Sequence, residues 1–314
     1  MGPSSLLTMS PRSPGSPVRS DPRAAEPGRF RESLEAPADA FFRLEHPKTP
    51  RGPLLVEVPH AGLAIPDEVR PQLAAPPEGL LRDADIYVDK LYADAADAGA
   101  SLLVARASRY VVDLNRSGDD VDLQTVPDHP SPRSVQPRGV VWRLATDGRP
   151  LLRRPLRYED FQRRLARFHT PYHAALRQEL DRLKATWGFA MALAAHSMPS
   201  MGRGLRSDRL VRRADVVPGT RGGTTAHPQL IELVDQHFRR AGLSVRHDDP
   251  YRGGYTTAHY GKPSENVHVV QIELNRALYV DERTGRPKTA ELEALKTVLH
   301  GLVRAAAELR LPQR

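Results

Sequence analysis

The sequence predicts an α/β protein with a mixed, mainly parallel central sheet and helices on both faces. Short apolar, β-branched runs alternate with longer stretches of helical periodicity, the signature of strand and helix in alternation. Several of those runs end in polar clusters, where an α/β sheet exposes reactive side chains at its carboxyl edge. A chain of 314 residues is long enough for one large domain with a tail and a sizeable core.

Residues 1–40 are rich in Pro, Ser, Arg and Ala without periodicity, so they are expected to form a disordered extension that buries too little apolar surface to offset its ordering entropy. Residues 41–314 then form a single domain. Leu54 to Val58 reads as a strand, Ile86 to Ala98 as a helix, Ser101 to Ala105 as a strand and Tyr110 to Leu114 as another. Residues 117–158 turn polar, Pro-rich and basic, a long loop insertion of the kind that serves as a lid or binding segment. Glu159 to Thr186 is amphipathic with helical spacing, kinked or divided at Pro171. Phe189 to Ala195 is a buried strand ending in His196, Leu230 to Ala241 a helix, Val267 to Leu274 a strand, and Ala290 to Leu309 a closing helix.

Cysteine is absent, so no disulfide framework exists, and any zinc must be held by imidazole and carboxylate rather than thiolate. No apolar run approaches the roughly 18 residues needed to cross a bilayer, and the start lacks a secretory signal, so a soluble, cytoplasmic protein without a membrane partner is expected. The net charge is +8 with a pI near 9.9. Lys and Arg are scattered rather than interleaved with aromatics, which argues against a nucleic-acid partner. Between Ser131 and Arg167, ten arginines face three acids, either a solvated face or a funnel for a small anionic substrate.

His60 and His196 each end or follow a probable central strand, so both imidazoles can enter one crevice. A catalytic zinc takes three N or O protein ligands and keeps one open position. Asp83 is the first choice for the third ligand and Asp85 the alternative, although Asp83 in that place also suits a helix cap. Glu273 is an ionisable group inside the apolar run Val269 to Leu274, either a general base or one half of a buried salt bridge. Arg109 and Arg116, with Asn115, suit bidentate capture of a substrate carboxylate, unless the arginines pair with local acids such as Asp113 or Asp119.

Taken together, Pro59-His60-Ala61-Gly62, Asp83-Ala84-Asp85, Ser108-Arg109-Tyr110 running to Asp113-Leu114-Asn115-Arg116, Pro171-Tyr172-His173, Ala195-His196-Ser197, Gly253-Gly254-Tyr255 running to His259-Tyr260-Gly261, and Gln271-Ile272-Glu273 resemble the N-formylglutamate amidohydrolase family over about residues 53–305. The resemblance implies a zinc carboxypeptidase-like, phosphorylase/hydrolase-like fold. It implies Zn2+, or another divalent metal, held by His60, Asp83 and His196, with Asp85 as the alternative ligand. Glu273 would be the base, Arg109, Asn115 and Arg116 would grip the substrate, and Tyr255 and His259 would line the pocket. The sequence departs from the family pattern at Val58, Ala61 and Ala194. The expected activity is hydrolysis of a small anionic N-acyl amino acid such as N-formylglutamate, with a place in histidine degradation. The alternatives are a carboxypeptidase-like amidase on peptides or peptidoglycan fragments, or a non-catalytic relative. No oligomeric state is implied.

Overall fold

The computed structural model describes residues 41–312 other than 75–76, 135 and 205–206, so the extension expected over 1–40 lies outside the described residues. In chain order the first half carries β1 (Phe42–Glu45), β2 (Leu54–Val58), α1 (Pro77–Asp83), α2 (Val88–Leu91), β3 (Ser101–Ala105), α3 (Tyr158–Arg164) and α4 (Thr170–Trp187). The second half carries β4 (Ala190–Met198), β5 (Met201–Gly204), β6 (Ser207–Arg212), β7 (Val216–Gly219), α5 (Pro228–Arg240), α6 (Tyr255–Tyr260), β8 (Val267–Asn275), β9 (Val280–Asp281), β10 (Arg286–Pro287) and α7 (Thr289–Glu308).

Six strands form the central sheet in the order β1-β3-β2-β4-β8-β7. The four inner strands run parallel, and β1 and β7 pair antiparallel at the two edges. The predicted mixed, mainly parallel sheet with helices on both faces is what the chain forms. From β2 the next strand lies on one side, at β3, whereas β4 lies on the other side and continues to β8. The crevice between the carboxyl ends of β2 and β4 is therefore a topological switch point, where open α/β sheets bind their ligands.

Side-chain alternation divides the core in two. Leu54, Val56 and Val58 of β2 face α2, α5 and α7, where Leu230, Val234 and Phe238 recur every four residues. Leu55 faces the other way, against Tyr172, Leu176 and Leu180 of α4. Each such fully buried Leu or Val contributes about 1.5–3 kcal/mol. The ends are set locally: His227 accepts from the Gln229 amide ahead of Pro228 to start α5, and Gly188 at φ 84° stops α4.

Three expectations change. The residues Tyr110–Leu114 form turns rather than a strand, with Val111 N bonded to Ser108 O and Asp113 N to Val140 O. Their apolar side chains are buried in one cluster with Val121, Val140 and Trp142 of the following loop as well as with Leu103 and Ala105 of β3. The helix expected over Ile86–Ala98 is helical only at Val88–Leu91 and continues as turns to Gly99. The long helix is divided as Pro171 implied, but by a π-helical turn at Leu165–His169 that absorbs the missing donor without breaking the axis into loops.

Candidate active site and metal centre

At the switch point, the exit from β2 delivers His60 and β4 delivers His196. Their ring centroids lie 4.9 Å apart. Asp85 follows α1, and its backbone N–H donates to His60 O at 2.9 Å, which ties the two loops together. The Asp85 Oδ2 atom lies 3.1 Å from His196 Nδ1 and 3.5 Å from His60 Nδ1. One ligand atom from each of the three lies within 4.8 Å of the others, the one such His/Asp/Glu group among the described residues. His60 Nδ1 is buried and has no hydrogen-bond partner. Two imidazoles, a carboxylate and an unspent ring nitrogen form a donor set that could hold a divalent ion.

The first-choice carboxylate, Asp83, is not in this group. It closes α1, and its oxygens accept from Tyr110 Oη at 2.7 Å, from the Thr146 backbone N–H at 3.1 Å and from the Thr146 hydroxyl. Arg82 adds an ion pair at 3.4 Å. With its acceptor capacity used, Asp83 braces the 140s loop, and the alternative residue Asp85 stands beside the histidines.

Electrostatics separate the acids of this edge. Burial would raise the Asp85 carboxyl, but His196 and His60 hold it well below the ordinary carboxylate range. Asp113 is likewise held well below it by Arg109 and His60 against its own burial. Burial and Arg109 push the His60 imidazole down, and Asp113 and Asp85 outweigh them, leaving it raised. Glu273 goes the other way. Burial pushes its carboxyl up to about 7, with His196 opposing and Asp85 adding to the rise. It is opposite His196 in the β4–β8 register, and Gln271 Nε2 donates to it at 2.9 Å.

Asp113 organises the adjoining wall. Its carboxylate accepts from His60 Nε2 at 2.7 Å, Arg109 at 2.8 Å, the Trp142 indole at 2.9 Å and the Asn115 backbone N–H at 2.9 Å. A carboxylate on the far nitrogen of a metal-ligand histidine fixes the ring and its tautomer. The same bonds occupy Arg109, whose guanidinium also donates to Asp83 O and lies 4.4 Å from the Trp142 ring centre. Asn115 is occupied too: its Nδ2 faces His196 Nε2 and Gln271 Oε1, both at 3.3 Å, and its Oδ1 accepts from Thr256 N at 3.0 Å. Gly254 permits that approach, because a Cβ there would meet the Asn115 amide at 2.3–2.5 Å. Arg116 is freer, more than a third exposed and 3.4 Å from Asp120.

These residues line a cavity of about 1530 Å³. Arg109, Asn115, Arg116, Tyr255 and Glu273 all face it. His259 does not: its ring stacks on Tyr255 at 4.8 Å, one helical turn further along α6, outside the lining.

One acid escaped the sequence reading. Glu57, fully buried on the same face of the sheet as Leu55, accepts from Tyr172 Oη at 3.0 Å and Thr256 Oγ1 at 3.2 Å. Burial raises its carboxyl, His196 pulls it back, and its Oε2 has no partner. An ionisable residue within an otherwise apolar strand is the signal that singled out Glu273, and it was present here as well.

Residues 52–280 match the family model described as N-formylglutamate amidohydrolase. An N-formylglutamate deformylase of Pseudomonas aeruginosa is 36% identical over 260 residues, covering 82% of this chain and 93% of that protein. A deformylase of the same name from Pseudomonas putida is also 36% identical, over 74% of this chain and 83% of its own. The crystal structure of N-formylglutamate amidohydrolase from Ralstonia eutropha JMP134 superposes with a TM-score of 0.77 at 33% identity, covering 86% of this chain and 97% of that one. The chain belongs to the N-formylglutamate amidohydrolase family.

Proposed function

We propose that this chain is a metal-dependent deformylase that hydrolyses N-formyl-L-glutamate to formate and glutamate. The observation that carries the reading is the His60–Asp85–His196 group beside a buried glutamate with a carboxyl near 7, in a chain over a third identical to proteins named for that activity.

His60, Asp85 and His196 would hold the ion, and the buried, partnerless His60 Nδ1 is the atom that fits it best. When bound there, a divalent cation supplies Lewis-acid polarisation of the formyl carbonyl and makes water more acidic, chemistry open to zinc and to other N/O-preferring metals. Glu273 accepts the proton of the attacking water, the C–N bond breaks, and the same carboxyl returns a proton to the leaving amine. A carboxyl near 7 is matched to both halves of that transfer. Asp113 keeps the His60 ring oriented, and Arg116 offers a guanidinium to a substrate carboxylate.

The test pairs metal analysis with formate release from N-formyl-L-glutamate. About one divalent ion per chain is expected, with release abolished by chelation and restored on adding metal back. Release from metal-stripped protein at the untreated rate would remove the metal from the mechanism. A bound metal without formate would remove the substrate. The cavity exceeds the roughly 300–1,000 Å³ usual for small ligands, which favours longer N-acyl peptides as a second reading. A panel of formylated amino acids and dipeptides separates the two.

A further inference from the structure

A cavity this roomy cannot select an amino acid by shape alone, so the distribution of charge along its walls has to do it. Most of its arginines are already spoken for. Arg82 pairs with Asp147, Arg109 with Asp113 and Arg133 with Asp119, while Arg116, 3.4 Å from Asp120, is more than a third exposed. Arg276 is held by Ser197 Oγ and Arg82 O, with Asp85 3.7 Å away. Among the described residues, Arg213, Arg221 and Arg252 line the cavity without an acid in ion-pair reach. Arg221 and Arg252 are exposed, whereas Arg213 is half-buried.

Arg213 is also held in place. Its Nη1 donates to Pro199 O at 3.1 Å, and its guanidinium lies 5.1 Å from the Tyr251 ring centre. Its backbone is fixed from both sides: its N–H donates to Ser200 O at 2.9 Å, and its carbonyl accepts from Asn275 Nδ2, two residues beyond Glu273 on β8. Gly202 of β5 leaves the space, since a Cβ there would meet the guanidinium at 2.0–2.6 Å. The Nε is buried with no partner. Tyr251 connects this group to the reacting centre, because after burial the charge that most raises its hydroxyl is Glu273, with Arg213 opposing. A braced cation without a carboxylate partner, lining the same cavity as the proposed base, is arranged for an anionic ligand group.

We propose that Arg213 binds the side-chain carboxylate of the substrate and so sets the preference for an acidic N-formyl amino acid, the Arg116 wall taking the α-carboxylate. This rests on the deformylase reading.

N-formyl-L-glutamine has the shape of N-formyl-L-glutamate without the second charge, so the pair isolates the contact. The wild type is expected to prefer the glutamate substrate by roughly 10- to 100-fold in kcat/KM. Arg213→Gln should remove most of that preference, chiefly through KM for N-formyl-glutamate, and leave kcat/KM for N-formyl-glutamine within about threefold. Arg213→Lys should restore part of the preference, because charge returns without the planar fork. Gly202→Ala should weaken it by displacing the guanidinium while keeping its charge. Equal losses on both substrates in the Arg213 variants, or an unchanged preference, overturn the assignment. If Arg213→Gln does not fold, the Lys and Gly202 variants and the wild-type ratio decide alone, and a wild-type ratio near one overturns it. A wild type active on neither substrate defeats the deformylase reading, and this assignment with it.

Discussion

Two buried glutamates, one at each edge of the central sheet, are treated in opposite ways. At the amino edge, where β3 begins with Ser101, Glu179 of α4 accepts from Ser101 Oγ at 2.5 Å and Arg182 at 2.6 and 2.8 Å, with His46 at 3.0 Å. Burial works against its charge, but those partners hold the carboxyl below its ordinary value. At the carboxyl edge Glu273 has one side-chain donor, Gln271, and its carboxyl rises to about 7. Glu57 keeps one oxygen without a partner, and His60 keeps one nitrogen. A buried charge whose bonds are all made stabilises the fold. One left short of partners costs stability, and a fold keeps it where a ligand or a reaction supplies the missing partner.

Substitution tests the contrast at both edges. Glu273→Gln should lower kcat for N-formyl-glutamate by about 10²–10⁴-fold with metal content unchanged, and near-normal turnover would take the proton-transfer role away from it. Asp85→Asn and Asp83→Asn form a matched pair two residues apart. The first should lose most of the bound metal and also lower Tm, because the carboxylate accepts from His196 and Ser197. The second should keep the metal and lose about 1–3 kcal/mol of stability, because Asp83 is saturated by protein donors and stands outside the histidine group. The reverse outcome would exchange their roles. Asp113→Asn should weaken metal affinity about 10- to 100-fold, measured by competition with a chelator.

The smallest effect belongs to the amino edge. Glu179→Gln should cost about 1–3 kcal/mol at neutral pH and leave turnover unchanged. The folded carboxyl titrates below its ordinary value of 4.5, so its contribution is present above that pH and is lost as the pH falls through the folded value. The melting temperatures of mutant and wild type should therefore converge in acid. A gap that stays constant from pH 7 to pH 3 would mean that the charge contributes nothing.

What the sequence revealed of the site depended on whether a residue's role is set within its own segment. β2 and β3 have the bounds their apolar runs predict, and β4 and β8 extend only slightly beyond theirs, because a strand buried on both faces must be continuously apolar. His60, His196 and Glu273 were legible for the same reason, being polar groups at or inside such runs. That Asp85 rather than Asp83 stands beside the histidines was not legible, because Tyr110 and Thr146 arrive from elsewhere in the chain to occupy Asp83. Tyr110–Leu114 looked like a strand because burial by a loop and burial by a sheet demand the same apolar composition. Arg109 was readable either as a substrate clamp or as a partner of Asp113, and it pairs with Asp113, whereas the contacts of Asn115 with Thr256 and Gln271 come from distant segments and left no trace beside it. Edge pairings such as β1 with β3 and β7 with β8 are non-local and leave little trace in a short segment.

The placement of Trp142 has an optical consequence. The chain has two tryptophans. Trp187 ends α4, with the Arg310 guanidinium 5.3 Å from its ring centre. Trp142 is buried with its indole hydrogen committed to the carboxylate that also grips His60, and with a guanidinium over its ring. With Trp187 replaced by Phe, fluorescence from the remaining indole becomes an intrinsic reporter of that wall. Any rearrangement of the Asp113–His60 pair on loading or stripping the site would then register as a change in emission, without an added dye.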